Sequence, residues 1–153
     1  MHMTDYMTEL RSKMGHAPII MVGATLLALN PAGQLLMLRR KDNGFWGVPG
    51  GAMELNETFE DTLRRESKEE IGVDIKEIEF FGLYSGPKFH YVYPNGDEVY
   101  IVTAVYITRL SGDEQIDIGH EEHSGYHFFD LNALPPDISL PIWPILQDLL
   151  KRQ

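Results

Sequence analysis

The chain has no cysteine among its 153 residues. That absence excludes disulfides, thiolate nucleophiles and zinc–thiolate centres. No apolar run reaches the roughly 18 residues that a membrane-spanning helix needs. The segment Met1–Gly15 is polar and mixed in charge, unlike a secretory signal, so a cytoplasmic location is expected. Met1-His2-Met3 reads as a start followed by a cloning scar, which would put the natural start at Met3. Basic residues are scarce: 13 Lys and Arg stand against 23 Asp and Glu, a formal charge of −10. Such a surface disfavours an extended nucleic-acid partner. It also repels a small anion unless a cation and local arginines offset the charge, and Arg39 and Arg40 are the candidates for that role. Repeats and low-complexity linkers are missing too. The expectation is a single domain over residues 1–153, long enough for a proper core.

What is present is concentrated between Gly51 and Val73. This stretch reads G-x5-E-x7-R-E-x-x-E-E-x-G-V, with Glu57, Arg65, Glu66, Glu69, Glu70 and Gly72 at the specified places. At roughly 7% usage per residue type, a chance match is on the order of one in a million. The segment from about Thr58 to Ile71 is predicted to be a helix. Asn56 or Thr58 can cap it, Glu57, Glu60 and Asp61 suit the positive end of its dipole, and Gly72 stops it. Residues three and four apart share a helix face, so Glu66, Glu69 and Glu70 cluster. Three carboxylates so close repel one another, and a divalent cation compensates. Carboxylate and backbone carbonyl oxygens suit Mg²⁺ or Mn²⁺, which accept phosphate oxygens and water in the same shell. Arg65 can pair with Glu69 and reach back to Glu57, so Glu57 and Arg65 read as a structural brace. Gly50 and Gly51, without side chains, let the backbone approach a ligand. A run such as RRESKEE alone is usually a solvated helix face; the glycine pair and Glu57 at fixed distance favour the metal site.

The pattern resembles the Nudix box of the Nudix (MutT-like) hydrolases. The resemblance extends more weakly from Pro18 to Pro135, through the L-x-x-L-R-R strand, the W-G-V-P-G-G approach and the F-F-D-L-N-A-L-P tail. It implies a Mg²⁺- or Mn²⁺-dependent pyrophosphohydrolase acting on a nucleoside diphosphate linked to another group, by water attack on phosphorus. It matches Glu66, Glu69, Glu70 and the Gly50 carbonyl to the metal ligands, Glu57 to an outer glutamate and Arg65 to a bracing arginine. Arg40 matches an arginine that contacts phosphate in some members. The general base differs between subfamilies, being a box glutamate in some and a late-loop glutamate in others; in the late loop 119–124, Glu122 is the first candidate and Glu121 the second. One departure is Ser67, where the family carries an aliphatic residue, and looser packing is expected beneath it. The implied partner is a small-molecule nucleotide, leaning to ADP-ribose or a nucleotide sugar. Alternatives are hydrolysis of modified nucleoside triphosphates, a nucleotide sensor without turnover, and action on RNA 5′ ends.

Other residues are read from composition and spacing. His120, His123 and His127 precede or enter a strand, so they are expected at the surface or half-buried rather than on a metal. Phe45, Trp46, Phe89, Tyr91 and Tyr93 could stack on a base, although packing in the core or on the hairpin face is the favoured reading for any single one, and alternation places the last three on one strand face. A helix over about residues 4–13 puts Tyr6, Met7 and Leu10 on one side, as a cap or a homodimer contact. The 94–97 hairpin is a second candidate for that contact. Strands are expected over 18–29, 34–39, 74–84 (with a bend at Gly82), 89–93, 98–109 and 126–129. A tight turn is expected at Pro94–Asp97, a helical turn over 131–134 and a last helix over 142–150. This order predicts an α/β (α+β) fold, an α/β/α sandwich around a mixed sheet.

Overall fold

A computed structural model describes residues 4–152; the reading of Met3 as a start lies outside them. One sheet of eight strands organises the chain, in the order β3-β2-β1-β7-β5. Its strands are β1 (Ile19–Leu29), β2 (Leu35–Arg40), β3 (Trp46–Gly47), β4 (Gly50–Ala52), β5 (Glu79–Tyr84), β6 (His90–Val92), β7 (Glu98–Arg109) and β8 (His123–Phe129). β4 pairs with β1, β6 with β7 and β8 with β2. The only parallel pair among them is β1 with β7, in register from Ile19↔Val99 to Leu29↔Arg109.

Helix α2 (Phe59–Ile71) covers one face of this sheet, and α1 (Asp5–Met14) and α3 (Trp143–Lys151) cover the other. The apolar run Ala24–Leu29 follows from this. Ala24, Leu26 and Ala28 face α2, while Leu27 and Leu29 join Met7, Ile145 and Leu149 on the far side. A strand covered on both faces reads as continuous apolar sequence rather than as alternation. The expected sandwich is therefore present, and no described helix is long and apolar enough to cross a membrane.

Local chemistry sets most boundaries. Thr58 caps α2, and Asp61 completes a reciprocal capping box, while Gly72 ends the helix at φ 71°. Asn56 is not the cap; it sits at φ 68° in the preceding turn. Thr4 caps α1, whose Met7 and Arg11 are buried against this same chain, so that side of α1 is a lid and not a free surface. The hairpin at 94–97 forms as expected, with Tyr93 N–H donating to Asp97 O and Gly96 N–H to Tyr93 O. Two expectations need correction. Residues 74–78 join no strand, and Val73 and Ile75 insert into the α2-side core; the bend survives as a register shift between Phe80 and Gly82. Phe89 ends a short 3-10 helix begun by Pro87 rather than opening β6. The turn expected at 131–134 is present, with Ala133 N–H donating to Asp130 O at 2.9 Å.

Ser67 lies under α2 at 1% exposure, and its Oγ has no hydrogen-bond partner. A buried hydroxyl left unmade costs roughly 1–3 kcal/mol. Ser67→Ala is therefore expected to raise unfolding free energy by about 1 kcal/mol, read by urea denaturation. An unchanged or lower midpoint would show that the hydroxyl is satisfied in solution.

Candidate active site

The site grows from the contact of α2 with β4. Gly50 and Gly51 sit on β4 opposite Thr25 and Ala24 of β1. A Cβ on Gly51 would lie 2.1 Å from Glu66 Cδ, and one on Gly50 would lie 2.5 Å from Ala24 O. Bare glycines are thus what allow the Glu66 carboxylate to rest on the strand. Glu66 is fully buried and Glu70 nearly so. Glu70 Oε1 accepts the Gly50 N–H at 2.8 Å. Burial first, and then the charge of Glu66, push the Glu70 carboxyl well above the usual carboxylate range.

Arg65 holds this arrangement from outside. Its Nε and Nη2 donate to the two Glu57 oxygens at 2.6 and 2.8 Å, its Nη1 to Glu66 Oε1 at 2.9 Å, and its Nη2 also to Ala52 O at 3.0 Å. Glu69 Oε2 lies 3.6 Å from Arg65 Nη1. Glu57 further accepts Glu54 N–H and the Thr62 hydroxyl. The guanidinium of Arg65 is the main cause that pulls Glu57 down to about 2. Its own pKa is raised in turn, first by Glu57. Such bidentate, charge-assisted pairing fixes geometry as well as adding stability.

Beside Glu70 opens a cleft of about 80 Å³. Gly50 and Glu70 line one end, Arg40, Tyr91 and Tyr93 one side, and Pro141 and Ile142 another. Thr25 contributes to it, its hydroxyl 2.8 Å from that of Thr103. Arg40 is clamped on Asp42 through Nε–Oδ1 at 2.9 Å and Nη2–Oδ2 at 2.6 Å, and lies 5.6 Å over the Tyr93 ring.

His123 also lines the cleft, at 6% exposure, which corrects the expectation of a surface or half-buried ring. The cause is a bulge. β2 and β8 pair Arg39 with Gly125 but Arg40 with His123, skipping Ser124. Opposed residues of an antiparallel pair share a face, so the skipped residue turns His123 inward beside Arg40. Its Nε2 comes within 3.8 Å of Glu70 Oε2, and burial lowers its pKa to about 4. His120 and His127 are exposed. The loop 119–123 forms a second depression facing Glu69 and Glu70, with Glu121 and Glu122 on its wall. Lys41 ties this loop down, its backbone N–H donating to Glu122 O at 2.9 Å and its ammonium to His120 O.

Four expected contacts are not brought to the cleft, Phe45 among them at the surface. Arg39 points to the opposite side of β2 from Arg40 by simple alternation; it is exposed, donating to Gly44 O and lying 5.8 Å over Trp46. Trp46 is consumed by packing, edge-on to Phe129 at 5.0 Å. Phe89 is 4% exposed in the core and packs on Tyr84. In their place stand residues with no motif to announce them: Thr25, His123, Pro141 and Ile142.

Among the described residues no three His, Asp or Glu side chains form a ready-made metal cage. The donor chemistry nevertheless fits a hard divalent cation: the carboxylates of Glu66, Glu69 and Glu70 with the peptide of Gly50, on a backbone stripped of Cβ atoms where Glu66 lies.

The model of the NUDIX domain matches residues 20–149. The chain belongs to the Nudix family. Among the relatives of this Nudix chain, an ADP-ribose pyrophosphatase of Methanocaldococcus jannaschii is 36% identical over 105 residues, covering 67% of the chain and 57% of the relative. A putative 8-oxo-dGTP diphosphatase of Bacillus subtilis is 37% identical over 67 residues, covering 44% and 45%. The chain thus spans about half the length of the curated relatives it matches. The MutT protein of Methanosarcina mazei superposes with a TM-score of 0.72 at 19% identity, over 87% of this chain and 94% of that one. That likeness carries the fold alone.

Proposed function

We propose that this Nudix domain is a divalent-cation-dependent pyrophosphohydrolase acting on a nucleoside diphosphate linked to another group, with ADP-ribose or a nucleotide sugar as the preferred class. The observation that carries the reading is the buried Glu66–Glu70 pair, of which Glu70 lines a cleft walled by Arg40 and two tyrosines. Arg65 meets Glu66 but is shared with Glu57, so the buried carboxylate pair keeps negative charge that a bound cation would offset. The substrate class is supported by extent: the match to the ADP-ribose pyrophosphatase covers 105 residues, against 67 for the 8-oxo-dGTP diphosphatase. All four box glutamates are retained, which favours turnover over a sensor.

In this reading Glu66, Glu69, Glu70 and the Gly50 carbonyl hold Mg²⁺ or Mn²⁺, which when bound supplies Lewis acidity at the phosphate oxygens. Arg65 and Glu57 keep Glu66 in place. Arg40 contacts a phosphate, and Asp42 keeps its guanidinium aimed. Glu122 takes the proton from the attacking water as a new P–O bond forms at one phosphorus. The bridging P–O bond then breaks, leaving two phosphate-terminated products. Tyr91 and Tyr93 line the path of the organic portion.

The test is a hydrolysis screen with ADP-ribose, nucleotide sugars, dinucleoside polyphosphates, and normal and oxidised nucleoside triphosphates, with Mg²⁺ or Mn²⁺ against EDTA. Metal-dependent release of a nucleoside monophosphate from the first two classes is expected. Glu122→Gln should lose roughly 10²-fold in kcat, and Glu121→Gln far less. Turnover that is indifferent to EDTA, or a preference for triphosphates, would remove the reading.

A further inference from the structure

Two buried hydroxyls meet beside the cleft. Thr25 of β1 and Thr103 of β7 are 4% and 2% exposed, and their Oγ1 atoms lie 2.8 Å apart. Two hydroxyls bring two protons, and the bond between them uses one. Among the described residues neither oxygen has a second hydrogen-bond partner. One proton is therefore left over, where a buried donor without an acceptor is costly. The two ways of placing it are not equivalent, because Thr25 lines the cleft and Thr103 stands behind it. If Thr25 donates to Thr103, the spare proton belongs to Thr103 and stays within the sheet. If Thr103 donates to Thr25, the Thr25 proton is free to point into the cleft, where an acceptor can enter. The second arrangement wins whenever such an acceptor arrives. A bond received from Thr103 also polarises the Thr25 O–H and makes it the stronger donor.

Position selects the acceptor. β1 and β4 pair Thr25 with Gly50, and a Cβ on Gly50 would lie 3.1 Å from Thr25 Cα. The bare glycine thus lets β4 close on Thr25. The N–H of that same Gly50 holds Glu70 at 2.8 Å, and Arg40 lines the same cleft. The spare donor therefore shares its cleft with a carboxylate suited to a cation and with a guanidinium, the surroundings of a phosphate oxygen. An anionic oxygen takes such a hydrogen bond about twice as strongly as a neutral one. Threonine is stiff at χ1, so the oxygen is fixed before a guest enters.

We propose that Thr25 contacts the substrate, donating its hydroxyl proton to a non-bridging phosphate oxygen, and that Thr103 is the positioning residue that orients it. The proposal rests on the hydrolase reading for the identity of the guest, but its test needs no turnover. ADP-ribose is titrated calorimetrically in EDTA into the wild type, Thr25→Val, Thr25→Ser, Thr103→Val and the double valine variant. Valine keeps the shape of threonine and removes the hydroxyl. Thr25→Val and the double variant should bind about tenfold more weakly or worse. Thr25→Ser should stay within about twofold of the wild type, and Thr103→Val should lose about threefold. The double variant should melt close to the wild type, since both partners are replaced by apolar groups of the same shape. Phosphorus NMR of bound ADP-ribose should differ between the wild type and Thr25→Val. The proposal is overturned if ADP-ribose does not bind the wild type, if Thr25→Val binds it as tightly, if serine fails to restore binding, or if affinity falls while the phosphorus signals stay still. Binding that depends on Thr25 without hydrolysis in Mg²⁺ would keep the contact and remove the hydrolase. Hydrolysis of ADP-ribose with the same KM in Thr25→Val would do the reverse.

Discussion

Glu70→Gln is expected to make the metal-free protein more stable and nearly inactive. Glutamine keeps an acceptor for the Gly50 N–H and removes a charge buried beside Glu66. Replacing a strained buried charge by a neutral group of the same shape gains about 1 kcal/mol or more, roughly 2–4 °C for a domain of this size. Turnover should fall roughly 10²–10³-fold, the usual cost of losing a group that stabilises developing charge. The pH dependence has a definite sign. The folded pKa of Glu70 lies above its unfolded value, so the native state binds this proton more tightly. The contribution to stability is complete below the ordinary carboxylate range and is lost as pH rises through the raised pKa. In EDTA the wild-type melting temperature should therefore drop with rising pH more steeply than that of the variant. Mg²⁺ should restore the wild type and leave Glu70→Gln unmoved. Melting curves at several pH values with and without Mg²⁺ measure this. Equal slopes, or a variant that still responds to Mg²⁺, would remove Glu70 from the metal site.

Gly51→Ala should damage turnover more than stability. In an ordinary strand, alanine in place of glycine gains about 0.4–1 kcal/mol by restricting the unfolded state. Here the added Cβ would sit 2.1 Å from Glu66 Cδ and within 2.5 Å of both its oxygens. The obstructing atoms end a flexible side chain, so the fold can yield at a cost of about 1–3 kcal/mol. The carboxylate cannot yield without leaving its position. We therefore expect kcat to fall by roughly 10² or more, with urea midpoints falling more modestly. Gly125→Ala is the matched control, since a Cβ there meets nothing within 4 Å. If the two variants behave alike, Glu66 is not held against β4 as described.

Legibility from sequence followed the range of the interactions involved. The box helix was readable to within a residue because its cap, its acids and Gly72 act within a turn or two. The hairpin at Pro94–Asp97 was readable for the same reason. The choice between Asn56 and Thr58 was open because both residue types cap; Asp61, three residues after Thr58, is the partner that decides it. The glutamates of the box could be placed on one face from spacing alone, but not that Glu66 and Glu70 are buried while Glu69 is not. That depends on which side meets β4. His123 was misjudged because a one-residue bulge at Ser124 reverses inside and outside, and no residue type signals it. Phe89 and Trp46 were over-read because an aromatic side chain suits a core as well as a ligand. Pro141 and Ile142 lie some 70 residues beyond Glu70 and reach the cleft only through tertiary packing.

The parallel register of β1 with β7 has a consequence for the order of events in folding. Partners such as Ile19 and Val99 are 80 positions apart, so the chain must close a long loop before these contacts offer any return. Helix α2 can begin to form from its own caps, yet its glutamates have nothing to rest on until β4 joins β1. We therefore expect helical signal to recover early in refolding and nucleotide binding to recover late, with the delay set by strand assembly rather than by the segment that carries the chemistry.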